Sequence, residues 1–156
     1  MRRKDREVTD SGRIREIISA CKCCRLGFCD DGKVYIVPLN FGYEECEGRY
    51  IFYFHGAKEG RKIDLIEKTH YAGFEMDANA EVYGKDTACT YTSRFQSVVG
   101  GGEVGFVENA EEKKRALRAI MRHNTGRADW EFQENMINAV CVFRLTVEEL
   151  SCKEHL

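Results

Sequence analysis

The sequence predicts a mainly β protein, an antiparallel β-barrel with flanking helices. Three observations carry that expectation. Runs rich in β-branched and aromatic residues recur along the chain, as in Lys33–Asn40, Arg49–His55 and Asn138–Val147. Short turn segments such as Asp30-Asp31-Gly32 join neighbouring runs, which favours hairpins over strand–helix alternation. Apolar residues at helical spacing are confined to a few segments. With 156 residues, 43% of them apolar, residues 1–156 are expected to fold as a single domain with a core of their own.

Each element follows in order. Ile14, Ile17, Ile18 and Cys21 fall at i, i+3, i+4 and i+7, so Ser11 to about Cys24 reads as an amphipathic helix capped by Asp10 or Ser11. Arg25–Cys29 and Lys33–Asn40 form a hairpin about Asp31-Gly32, a pair that accepts positive φ. Pro38 removes a ladder donor near the end of the second strand, which marks an edge, a bulge or a ligand-facing position. Glu44–Gly48 reads as a turn and Arg49–His55 as the third strand. Gly56–Gly60 is a loop, followed by a helix over Arg61–Lys68 with Ile63, Leu65 and Ile66 inward. Tyr71–Met76 is the fourth strand. Thr87–Thr92 with Phe95–Val99 makes a fifth, interrupted near Ser93, and Glu103–Val107 a sixth. Asn109 and Glu112 form a capping box for a helix over Ala110–Asn124, with Lys113, Leu117, Ile120 and Met121 on one face and Gly126 past its end. A polar loop carries Trp130, and Asn138–Val147 is the last strand.

Composition narrows function. Lys+Arg 24 against Asp+Glu 26 leaves no basic excess, so nucleic acid is not an expected partner. The longest charge-free stretch, Val34–Tyr43, is far short of the ~20 residues that span a bilayer. The opening Met1–Glu7 has no apolar run of the secretory kind, so a soluble cytoplasmic protein without membrane contact is expected. Its eight cysteines are then expected as reduced thiols, with Cys89 and Cys141 as small core residues.

Several motifs compete for a chemical role. Gly100-Gly101-Gly102-Glu103-Val104-Gly105 has the letters of a dinucleotide loop, but strand-like alternation follows it where a helix should open. A glycine bend in a coiled barrel strand fits better. Cys21-Lys22-Cys23-Cys24 contains C-x-x-C, yet the other candidate ligands are scattered singles and the motif closes a helix rather than opening one. No metal site is expected. His70 reads as a loop or strand-start residue, and His123 and His155 as solvated surface residues. His55 differs, because it opens Phe54-His55-Gly56-Ala57-Lys58-Glu59-Gly60-Arg61-Lys62. Small residues there let backbone approach a ligand, and two cations at a helix start suit a phosphate, although a solvated basic helix start reads equally well.

That segment, with Tyr35-Ile36-Val37-Pro38-Leu39-Asn40-Phe41 before it, resembles the FMN-binding split-barrel superfamily. Within it the chain is similar to the pyridoxamine 5′-phosphate oxidase-related proteins that include 5-nitroimidazole antibiotic resistance proteins. Tyr91–Gly100 and the opening Met1–Arg6 share the likeness. The resemblance implies an antiparallel, Greek-key-like split barrel that forms a homodimer with one FMN in each interface cleft. It further implies that Val37, Pro38, Leu39, Asn40 and Phe41 run along the flavin edge, and that His55, Gly56 and Ala57 lie near the ring and ribityl chain. Arg61 and Lys62 would hold the phosphate, Gln96 and Ser97 would reach the flavin from the other subunit, and Trp130 would cover the cleft. The tail Ser151–Leu156 lacks the Trp and Arg pattern of vitamin B6 oxidases, which argues against that substrate.

The resulting expectation is an FMN-dependent oxidoreductase, with FAD as the other flavin the phosphate site suits. It would pass electrons from a reduced nicotinamide to a small acceptor such as a nitro-aromatic. His55 is the expected catalytic residue, since imidazoles exchange protons near neutral pH. The alternative is a non-enzymatic flavin or haem carrier or sensor, with His55 or His70 as an axial ligand. A thiol-based redox sensor built on Cys21 and Cys24 is a third reading.

Overall fold

The computed structural model describes residues 3–156; Met1 and Arg2, which begin the opening segment noted above, lie outside them. A two-residue strand, β1 (Glu7–Val8), precedes helix α1 (Ser11–Ala20). Asp10 caps that helix, its carboxylate accepting from the Arg13 N–H at 2.7 Å. The helix stops at Ala20, short of the expected Cys24, because Cys21 is already extended and Cys24 pairs with Leu39. Strand pairing outcompetes the last helical turn. β2 (Cys24–Asp30) and β3 (Lys33–Leu39) form the expected hairpin, with Asp31 and Gly32 at φ 50° and 81°.

A strand replaces the turn expected over Glu44–Gly48. β4 (Gly42–Cys46) pairs with β5 (Arg49–Gly56), and the reversal is confined to Glu47 and Gly48. Glu44 and Glu45 hid the strand in the sequence; here Arg115 and Arg15 pair with them. β5 buries both faces through Phe52, Tyr53 and Phe54, which accounts for its unbroken aromatic run. Helix α2 (Arg61–Thr69) turns Ile63, Leu65 and Ile66 inward as expected and ends at His70 in the left-handed conformation, φ 53°.

β6 (Tyr71–Tyr83) and β7 (Thr92–Phe106) form one long hairpin with a register shift between Ala78 and Glu81. The expected fifth and sixth strands are therefore a single strand. It continues through Gly100–Gly102, with a bulge between Gly101 and Gly102 against the last strand. A Cβ on Gly102 would overlap the Thr146 carbonyl oxygen, so the glycine is required by close backbone approach. Of the expected Thr87–Thr92 only Thr92 belongs to that strand; the residues before it form a hairpin tip holding a short 3₁₀ turn, Ala88–Thr90. Cys89 is exposed on this tip, contrary to the core position expected for it.

Helix α3 (Ala110–Thr125) starts at Asn109, whose Oδ1 accepts from the N–H groups of Glu111 and Glu112. Only half of the capping box forms, because the Glu112 carboxylate turns to Arg144 instead. Ala116, Ala119 and Ile120 form the buried face, with Leu117 at its margin. A short helix, α4 (Glu134–Ala139), occupies part of the expected polar loop. The last strand, β8 (Cys141–His155), begins later and runs farther than expected, its charged second half paired to β7 and β1.

The strands lie in the order β3-β2-β6-β7-β8-β5-β4, every pair antiparallel, with β1 added beside β8. Side chains of β2, β5, β6, β7 and β8 meet those of α1 and α2 in one interior core. A second core lies between the β5–β8 face and α3. This is the mainly β, antiparallel split-barrel architecture with flanking helices. No helix among the described residues is long and apolar enough to cross a membrane.

Candidate functional site

The strand end His55–Gly56 leads directly into the loop that starts α2, so chain connectivity alone brings a strand edge and a helix N-terminus together. Gly60 adopts φ 119° and no side chain caps the helix, which leaves its opening turn without a side-chain acceptor. Gly56 pairs with Cys141 across β5 and β8. A Cβ on Gly56 would lie 3.1 Å from Nζ of Lys62, so that ammonium rests where the missing side chain would be. Cross-strand partners share a face, and Lys62 therefore lies on the Cys141 side. Burial pushes the Cys141 thiol up, while Lys113, Lys62 and Lys58 oppose that shift. Three ammonium groups thus surround this corner. A cleft of about 210 Å³ opens there, walled by Phe106, Val140 and Cys141, with Lys58 and Lys113 beside Glu67 and Glu108.

Arg61 and Lys62 do not act on one spot. Arg61 leaves the helix start in another direction, its Nη2 3.0 Å from Asp30 and its guanidinium 4.6 Å over the Tyr35 ring. Arg61, then Lys68, holds the Asp30 carboxyl below its ordinary range. The adjacent cations expected as a pair therefore split between the β2–β3 hairpin and the Gly56–Cys141 corner. Side chains successive on a helix diverge by about 100°. Among the described residues Lys62 makes no ion pair, and it keeps its charge available at the corner.

The β3 segment takes an edge position, since β3 ends the strand order. Val37 and Leu39 lean on the interior core, whereas Pro38 is exposed opposite Arg25. Pro38 thus sits on an edge strand, one of the positions expected for it. Asn40 is exposed and donates to the Lys22 carbonyl at 3.3 Å. Phe41 follows just beyond the end of β3. Its side chain is fully buried against Phe52 and His123, and its carbonyl accepts from Asn124 at 3.0 Å. Arg61 over Tyr35 is the contact that links β3 to the helix start.

His55 is exposed, and no hydrogen bond engages its ring among the described residues. Ala57 is exposed in the loop beyond it. Gln96 is only 6% exposed and committed within its own chain, accepting from Asn79 at 2.6 Å and donating to Glu154 at 3.3 Å. Both ends of its amide are thus engaged within its own chain. Ser97 is half-buried between Asp77 and Lys153. Trp130 is held beside α3, donating to Thr125 with Arg127 stacked 4.5 Å over its ring.

Lys58, Lys113 and Cys141 were not expected at this site. Lys58 adjoins the basic helix start and could have been found there; Lys113 comes from α3, and nothing local in sequence ties it to Gly56. The cysteine cluster makes no site. Cys21 and Cys24 are fully buried, and desolvation pushes the Cys21 thiol up to about 12 and Cys24 higher still. His123 is not solvated as expected: it is half-buried and contacts the Cys21 carbonyl at 2.7 Å.

The sequence pattern of the family described as pyridoxamine 5′-phosphate oxidase matches residues 10–154. The chain is 30% identical to a candidate 5-nitroimidazole antibiotic resistance protein of Bacteroides thetaiotaomicron, with a TM-score of 0.81 over 95% of this chain and 86% of that one. It shares its fold with the flavocytochrome Anf3 of Azotobacter vinelandii, at 20% identity and TM-score 0.79, over 100% of this chain and 72% of that one. It likewise shares it with an FAD and haem binding protein of Mycobacterium smegmatis, at 16% identity and TM-score 0.79, over 96% and 73% of the two chains. No curated protein matches significantly. By the extent of the pattern and the 30% relative, the chain belongs to the pyridoxamine 5′-phosphate oxidase family.

Proposed function

We propose that this protein is a flavin-dependent oxidoreductase that binds FMN at the corner between Gly56, the start of α2 and Cys141. The observation that carries this reading is the Lys62 ammonium resting over a residue without a Cβ, beside an uncapped helix start. Such a cradle fits a phosphate: free N–H groups, a helix dipole and lysine charge converge on a small volume. Lys62, Lys58 and Lys113 would hold the phosphate, and Arg61 would brace the helix start against Tyr35 and Asp30. The unpaired edge of β3 at Val37–Asn40 has backbone groups to offer a flat ring. A bound flavin supplies a ring that takes up and returns hydride or electrons. His55, exposed and uncommitted, would hold or deliver a proton to the acceptor.

A second copy of the chain is part of this reading. Val34, Ile36 and Val99 stand exposed on the sheet, and Val34 and Ile36 belong to an edge strand. The electron donor is proposed to be a reduced nicotinamide and the acceptor a small oxidant such as a nitro-aromatic, a proposal supported by the likeness to the Bacteroides protein.

The test is an absorption spectrum of the purified protein after FMN loading and gel filtration. Retained flavin bands that bleach on adding NADH or NADPH are expected. Retained bands that do not bleach would instead identify a flavin carrier, and a haem spectrum a haem protein using the uncommitted His55. A protein that retains no flavin would overturn the reading.

A further inference from the structure

A second cleft, of about 400 Å³, opens where α1, β4 and α3 meet, and it shares no lining residue with the site above. Arg15 and Ser19 line it from α1, Tyr43 and Glu45 from β4, and Arg122 and His123 from α3. Its walls are fixed to one another. A Cβ on Gly42 would overlap the backbone of Ala119 and Ile120, so α3 lies directly on β4. Three consecutive residues near the end of α3 then reach across. Arg122 donates to the Tyr43 carbonyl at 3.4 Å, His123 contacts the Cys21 carbonyl at 2.7 Å, and Asn124 donates to the Phe41 carbonyl at 3.0 Å. Ser19 and Tyr43 share a hydroxyl hydrogen bond at 2.6 Å, and Arg15 pairs with Glu45 at 3.0 Å. A cleft so braced loses little freedom when a ligand enters.

Its charges are unequal. Glu45 offsets Arg15, whereas among the described residues no carboxylate pairs with Arg122, whose long bond to Tyr43 leaves most of its N–H fork unused. A carbonyl only accepts, so His123 carries its proton on Nε2, and a neutral ring has Nδ1 as an acceptor. Burial lowers the His123 pKa, which keeps the ring neutral near pH 7 and adds no charge to the cleft. The remainder is one guanidinium beside one aromatic wall, where the rings of Tyr43 and His123 meet edge to face at 5.6 Å.

We propose that this cleft binds a small planar carboxylate, its oxygens on the Arg122 fork and its flat body against Tyr43 and His123. A carboxylate matches the fork in two parallel hydrogen bonds and offsets the Arg122 charge that no carboxylate pairs with, with Lys22 adding positive potential near His123. A phosphate monoester carries about −1.5 to −2 near neutral pH and would face the Glu45 carboxylate.

Calorimetric titration of the full chain with benzoate, benzamide and inorganic phosphate tests the proposal. Benzoate is expected to bind saturably, and neutral benzamide about tenfold or more weaker, as loss of a charged hydrogen-bond pair implies. Arg122→Gln is expected to weaken benzoate by a similar factor without changing the melting temperature, since Arg122 is exposed and has one weak contact. The His123 ring resonances should shift with benzoate in the parent protein. Equal binding of benzamide, retention of benzoate affinity in Arg122→Gln, or preference for phosphate would each overturn it, as would no binding at all. Flavin retention is read separately, so failure here leaves the flavin reading untouched.

Discussion

The ammonium of Lys62 lies 3.1 Å from the position a Cβ on Gly56 would take, so these residues are complementary in shape as well as adjacent in the site. Substituting either one should act on cofactor binding before it acts on stability. Lys62→Gln is expected to weaken FMN binding about tenfold or more, since a charged hydrogen bond is lost. Gly56→Val should have the same direction by displacing the Lys62 side chain. Quenching of FMN fluorescence measures both. Unchanged affinity in Lys62→Gln would remove the phosphate from this corner.

Arg61 should behave differently from its neighbour. Its guanidinium is stacked on Tyr35 and paired with Asp30, away from the Gly56–Cys141 corner. Arg61→Ala is expected to reduce FMN affinity less than Lys62→Gln does. Parallel titrations of the two variants decide the matter; the reverse ranking would place the phosphate toward β3 instead.

The His123 environment makes a prediction about acid. Burial holds its pKa below the ordinary imidazole value of 6.5, against a smaller opposing effect from the Cys21 carbonyl. The unfolded chain therefore binds the proton more readily than the folded one, and stability must fall as pH drops below about 6.5. Melting temperature measured from pH 7.5 to 5.5 should decline more steeply in the parent than in His123→Gln, whose amide can still donate to Cys21. Parallel profiles would show that the ring does not titrate in this window.

Thiol reactivity should divide along burial. Cys29, Cys46 and Cys89 are exposed and should label rapidly in the folded protein, whereas Cys21, Cys24 and Cys152 should label only on unfolding. Mass spectrometry after brief alkylation reads the difference. Rapid labelling of Cys21 would revive a redox role for that cluster.

Two backbone devices can be tested by stability alone. Asn109→Ala removes the cap of α3 and should cost about 1 kcal/mol. Gly102→Ala forces a Cβ into the Thr146 carbonyl and should cost roughly 1–3 kcal/mol or more. Urea unfolding measures each, and a neutral Gly102→Ala would mean that β7 and β8 can separate there without penalty.

The sequence by itself determined the class of fold, the β2–β3 turn, the cap at Asn109, a cap at Asp10 or Ser11 that the structure assigns to Asp10, and the place of the basic helix start at Arg61–Lys62. These are local facts: periodicity, turn chemistry and capping act over a few residues, and the side chains that encode them are neighbours in the chain. β4 was hidden because its glutamates find their arginines on α1 and α3, which no short window contains. The three-glycine segment could be recognised as a bend, but its place inside one continuous β7 depends on how closely the Thr146 backbone approaches. The tertiary structure alone sent Arg61 and Lys62 apart, brought Lys113 from α3 to the Gly56–Cys141 corner, and buried His123 among Phe41, Tyr43 and the Cys21 carbonyl. Direction and proximity between distant segments are products of packing, and packing is decided only once every strand has found its partner.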